Sequence, residues 1–153
     1  MTEIDKALNL TDETEKIIAI GELIGNKIGE NDSLENLTES EKTFLYVDIL
    51  EREVNNGGFD QFFYNSSGEF THEILEAYQK IGADKTADLI NRAIKLFPTL
   101  PVPKNWELRQ EILLEKESNS ELWNELDTEF YKYEDNISEL IIKFVEKNKS
   151  DFE

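Results

Sequence analysis

The stretch Glu51–Gly68, EREVNNGGFDQFFYNSSG, decides how the chain folds. Asn55, Asn56, Gly57 and Gly58 stand together, and Asn and Gly are the residues that tolerate the left-handed backbone a helix terminus requires. The junction therefore reads as a hard helix stop. An aromatic-rich turn of helix follows, with Phe59, Phe62, Phe63 and Tyr64, and Asn65-Ser66-Ser67-Gly68 makes a second stop. Phe59, Phe62 and Phe63 are expected in the core, with Asp60 and Gln61 hydrogen-bonding the junction.

The helix that runs into this junction starts at Thr38-Glu39-Ser40-Glu41, a capping box with threonine as cap and glutamate three residues on. It carries Phe44, Leu45, Tyr46, Val47, Ile49, Leu50 and Val54. At 100° per residue, Asp48, Glu51 and Arg52 share the polar arc, but Glu53 projects beside Tyr46 and Ile49. A carboxylate on an apolar arc must be hydrogen-bonded or raised in pKa. Glu53 is accordingly expected to be mostly buried and bonded to groups around Asn55–Gln61.

Helical periodicity holds on both sides and no alternating strand pattern persists. Asp12–Gly29 reads as a helix with Ile17, Ile20, Leu23, Ile24 and Ile28 inward; Gly21, Gly25 and Gly29 form a ladder suggesting close approach of a neighbouring helix. Glu69–Ile81 is a helix stopped by Gly82, and Asp84 is expected to cap an amphipathic helix reaching Phe97. Pro98, Pro101 and Pro103 make an extended connector. Helices are expected near 105–117, 120–133 and 136–148, with Ser120 and Asn136 as caps. The expected fold is all-α, a compact bundle of about six to eight helices in a single domain over 1–153.

Composition bounds the chemistry. At 153 residues the chain can bury about 70% of the surface its unfolded form exposes, without help from a metal or disulfide. It has no cysteine and a single histidine, His72, which removes thiolate chemistry and makes a histidine-rich metal site an unpromising reading. No cofactor is implied. No apolar run approaches the roughly 20 residues of a membrane span. The N-terminal MTEIDKALNL lacks a signal-peptide pattern, so a cytoplasmic protein is expected.

Charge is the outlier: 34 acidic against 16 basic residues, net −18. Residues 1–60 hold 15 acidic and 5 basic side chains, 61–104 hold 5 of each, and 105–153 hold 14 and 6. Two acidic segments thus flank a neutral centre. Direct nucleic-acid binding is disfavoured, because phosphate neutralisation needs clustered Lys and Arg. The acidic residues of the last third are ordered: Glu107, Glu111 and Glu115, then Glu117, Glu121, Glu125 and Glu129, recur at four-residue intervals. Four residues of helix rise about 6 Å, so each row strings carboxylates along one flank. Basic residues near them are sparse, namely Arg109, Lys116 and Lys132. The rows are either a solvated helix face or a surface that imitates phosphate charge to a basic partner.

EREVNNGGFDQFFYNSSG, followed by IGADKTADLINRAIKLFP, resembles the DNA mimic protein 19 family, a bacterial all-helical family. The resemblance is carried by Glu53, Asn55, Asn56, Gly57, Gly58, Phe59, Gln61, Phe62, Phe63, Asn65, Gly68, Ile81, Gly82 and Ala83, and extends over about residues 10–150. It implies a non-enzymatic, acidic protein, with a homodimer possible. Such a protein occupies the DNA-binding face of a helix-turn-helix transcription regulator. No individual contact residue carries over; assigning the partner surface to the Glu rows is a reading of the charge pattern. Two alternatives stay open. One is an acidic inhibitor or immunity-type protein against a basic nuclease or toxin. The other is an enzyme built on Glu53, Asp60 and His72, with Glu51 beside them, since paired carboxylates can serve as acid and base.

Overall fold

The Thr38 capping box starts the longest helix of the molecule, and most other elements pack on it. In the computed structural model, which describes residues 1–31, 33–115 and 120–153, the helices are α1 (Glu3–Leu8), α2 (Glu13–Ile28), α3 (Glu39–Tyr64), α4 (Thr71–Lys80), α5 (Asp84–Lys95), α6 (Trp106–Glu115), α7 (Ser120–Phe130) and α8 (Ile137–Lys147). No strand occurs among the described residues, and the fold is all-α. Both halves of the capping box are present: the Thr38 hydroxyl accepts from Glu41 N at 3.1 Å and Glu41 Oε1 accepts from Thr38 N at 2.9 Å.

Along α3, Phe44, Val47, Leu50 and Val54 are buried at helical spacing. α2 and α8 lie against its first half, α4 along its length, and α6 and α7 near its C-terminal end. Gly82, φ 82°, makes the left-handed turn between α4 and α5. The last residues close back on the start of α3: Thr38 donates to Asp151 O at 3.0 Å and Ser40 to Asp151 Oδ2 at 2.7 Å. Lys27 pairs with the buried Glu41 beside them.

The Asn-Asn-Gly-Gly stop is present as expected, at Gly58, where two helical segments meet. Helical structure continues through Gly57, turns a corner at Gly58 (φ 77°, ψ −176°) and resumes at Phe59. Other expectations are corrected. The glycine ladder of α2 is not a row of close approach. A Cβ on Gly21 would meet Phe44 at an ordinary 3.9 Å and one on Gly25 would meet nothing within 4 Å, while Gly29 (φ 66°) ends the helix. Asp84 is not the cap of α5; that position belongs to Ala83, and the Thr86 N–H is met by Asp135 Oδ2 at 2.8 Å. The segment before Thr71 is a 3-10 turn, Ser66–Phe70, and α7 ends at Phe130, three residues short of Tyr133 (φ 47°). The short α1, closed by its own Thr2–Asp5 box, was not anticipated. Asn136 does cap α8, accepting from Glu139 N at 3.2 Å. The expected end of the sixth helix at 117, Lys116 and Glu117 lie outside the described residues, and nothing of the Ser120 side chain is described.

Candidate functional site

Two polar regions stand out, and they are built in opposite ways. The first is the junction. Because Gly58 breaks α3, the N–H of Phe59 loses its helical acceptor; Asp127 of α7, almost fully buried, accepts it at 2.8 Å. A Cβ on Gly58 would lie 2.8 Å from Asp127 Cγ and closer still to Oδ2, so glycine is required twice over, by torsion and by space. Burial pushes the Asp127 carboxyl up, opposed by the Phe59 hydrogen bond. The helix thus restarts with a cap delivered from 68 residues downstream. Phe59, Phe62 and Phe63 pack inward, as expected: Phe63 stacks on Trp123 with centroids 4.9 Å apart and meets Phe97 at 5.4 Å, while Phe59 meets Phe130 edge-on at 6.1 Å.

Glu53 is half-buried and hydrogen-bonded by side chains. Gln61 Nε2 donates to its Oε2 at 2.9 Å and Asn65 Nδ2 to the same oxygen at 3.2 Å; Asn56 in turn donates to Gln61 Oε1 at 3.1 Å. A Cβ on Gly57 would lie 2.7 Å from Gln61 Cδ, so that glycine makes room for the relay. Asn55 faces elsewhere, donating to Glu51 O and to the Tyr133 hydroxyl, both at 2.7 Å. The motif residues thus serve two hydrogen-bond clusters on two sides of one helix.

Arg109 is the residue the sequence reading misplaced. Its charge is not on the surface relieving the glutamates of α6: the side chain is fully buried and donates only to backbone carbonyls. These are Phe63 O at 3.1 Å, Asn65 O at 2.8 Å, Pro103 O at 3.0 Å and Lys104 O at 2.8 Å, with Ser66 O at 3.4 Å. The last carbonyls of a helix have no intrahelical donor, and the fork-shaped guanidinium satisfies those of α3 together with the proline connector. Burial lowers its pKa. Gly68 is explained by the same side chain, since a Cβ there would sit 2.7 Å from Arg109 Nε. Nothing in the periodicity of α6 marks Arg109 as interior. A lone basic residue on a helix rich in glutamate is the only hint.

The second region is the acidic surface. Glu107, Glu111 and Glu115 are exposed along α6, and Glu121 and Glu125 along α7. None of these five makes an ion pair among the described residues. Glu129 departs from the pattern: it is half-buried and paired with Arg92 of α5 at 3.2 Å. Glu117 lies outside the described residues. Beside this row Leu122 is exposed, while Leu126 and Phe130 are buried.

The candidate acid–base residues have separate partners. Glu51 accepts from Tyr78 at 2.8 Å and Tyr133 at 3.0 Å, and burial raises its carboxyl to about 6 against the pull of those two hydroxyls. Glu53 faces the amides of Gln61 and Asn65. His72 Nε2 accepts from Val102 N at 3.1 Å, tying α4 to the proline connector. Asp60 is half-buried near Asp127, whose carboxyl its charge helps to raise.

These features define an all-α protein organised on a broken central helix, none of whose described helices is long and apolar enough to cross a membrane. The chain belongs to the DMP19-like protein family, whose sequence profile matches residues 35–148. The matched span begins after α2 and takes in the junction, Arg109 and Asp127. No curated protein and no solved structure matches the chain.

Proposed function

We propose that the protein is a non-enzymatic DNA mimic. Its exposed carboxylates occupy the DNA-binding surface of a basic protein, a helix-turn-helix transcription regulator, and exclude DNA from it. The observation that carries this reading is the interior position of Arg109. With that cation withdrawn to the carbonyls of α3, the glutamates of α6 have no basic partner among the described residues. Like charges four residues apart cost a few tenths of a kcal/mol per pair on a helix, a persistent penalty that a surface serving only solubility has no need of.

Magnitude argues for both rows acting together. A duplex carries one charge per about 1.7 Å of axis, whereas one carboxylate row offers a charge per about 6 Å. A single helix therefore imitates phosphate density poorly, and competition needs α6 and α7 at once. The test is capture of partners from a lysate at low ionic strength, followed by gel-shift competition against duplex DNA. The protein is expected to displace DNA from its partner and to lose that ability as salt rises. A ternary complex holding DNA and this protein together would sink the reading.

A further inference from the structure

An open groove of about 810 Å³ lies beside the junction, and neither the packing of the helices nor the acidic rows account for it. Ile49 and Phe70 form an apolar side; Glu53, Asn56, Gln61 and Ser67 form a polar one. Glu53 is the fixed point of the polar side. Two neutral amides spend their hydrogens on its Oε2, and among the described residues no donor reaches Oε1. Arg52 lines the same groove but is held by Asp48 at 3.2 Å. Two other enclosed carboxylates are served differently: Glu41 meets Lys27, and Glu51 uses both oxygens on Tyr78 and Tyr133. Glu53 is therefore an immobilised acceptor with one oxygen unspent, facing a cavity, with the Glu69 carboxylate on the same rim.

We propose that this groove receives an arginine side chain presented by the basic partner polypeptide. The guanidinium is bound by Glu53, with Glu69 close by, and lies against the Phe70 ring. The chemistry favours arginine over lysine. A planar fork of donors matches a carboxylate edge and nearby hydroxyl and amide oxygens, and it stacks on an aromatic face, which a compact ammonium does less well. An acceptor already held by two amides pays little ordering entropy on binding. The proposal rests on the reading that the partner is a basic protein and adds a division of labour: the Glu rows attract at range, and the groove fixes the register of the bound surface.

The test uses the full chain and three blocked tripeptides, acetyl-Gly-Arg-Gly-amide and its Lys and Gln counterparts, followed through the side-chain amide resonances of Asn56, Gln61 and Asn65. The arginine peptide is expected to give saturable shifts, at least several-fold tighter than the lysine peptide, with the glutamine peptide silent. Glu53→Gln is expected to weaken binding about tenfold or more, the scale of one charge-assisted contact. Ser66→Tyr fills the exposed rim of the groove while leaving the Glu53 amide partners in place, and is expected to block binding with an unchanged melting temperature. That second variant decides the matter if Glu53→Gln unfolds. Absence of saturation, equal affinity for arginine and lysine peptides, or full binding by Ser66→Tyr overturns the proposal. Glu121→Gln/Glu125→Gln should leave the tripeptide titration intact while reducing competition with DNA, so failure of the groove and failure of mimicry give different results.

Discussion

The junction and the acidic rows are both rich in polar side chains, yet they are opposites in construction. Around the junction, side chains meet partners distant in sequence: Asp127 with the Phe59 N–H, Arg109 with carbonyls of five residues, Glu53 with two amides. Along α6 and the start of α7 the carboxylates face water without ion pairs among the described residues. The difference teaches that polarity in this molecule has two uses. Where polar groups are enclosed they dictate geometry, and each is costly to disturb. Where they are displayed they cost almost nothing to remove from the fold, and their value must be sought in what they meet.

The contrast breaks most visibly at Arg109. Arg109→Met leaves several enclosed carbonyls without a donor at roughly 1–3 kcal/mol each before relaxation, so a loss of about 3–5 kcal/mol is expected in denaturant unfolding. Arg109→Lys should recover only part of it, since an ammonium cannot span the same acceptors. Next comes Gly58→Ala: a φ of 77° costs a side-chain-bearing residue about 1–3 kcal/mol, and displacement of Asp127 adds to it. Thermal melts should show a loss of about 2–4 kcal/mol. An unchanged melting temperature would mean that the corner at Gly58 is not maintained in solution.

Third is pH. Glu51 is raised by burial from 4.5 to about 6, so the folded state holds that proton more tightly than the unfolded chain. The stabilisation is fully present below 4.5 and is lost as pH rises through 6. Between pH 7 and 4.5 it amounts to at most about 2 kcal/mol, at 1.36 kcal/mol per unit. The raised carboxyls of Asp48 and Asp127 act in the same direction. Glu51→Gln should flatten the stability profile across this window, as measured by unfolding at a series of pH values. The smallest effect is expected at the rows: Glu121→Gln/Glu125→Gln should change stability by no more than about 0.5 kcal/mol, and upward if at all. A large loss there would erase the distinction between the two regions.

Much of the helical layout was legible because it is local. The Thr38 box, the Gly82 turn and the Asn136 cap each need only neighbouring residues to be recognised. The failures share a cause as well. The break at Asn-Asn-Gly-Gly is legible, but the acceptor that restarts the helix at Phe59 is not, because Asp127 lies in another helix. Asp84 looks like a cap because the group that does the capping, Asp135, lies 49 residues beyond the Thr86 N–H it meets. Arg109 looks like a surface cation because its carbonyl partners are invisible to helical periodicity. The outward glutamates were readable for the reason the junction was not: exposure at regular spacing is a one-dimensional property.

The delivery of caps from afar has a consequence for how the chain acquires its fold. All-helical proteins are usually assembled from contacts close in sequence, which is why they fold quickly. Here the central helix is capped locally at its start but is met at its corner by Asp127 and at its end by Arg109, across separations of up to 68 residues. Each closure must wait until distant segments have met. The early parts of the chain can coil into helices at once, but the bend that aims α6 and α7 is completed only when those later helices arrive. The bend that displays the acidic surface therefore depends on the helices that bear it.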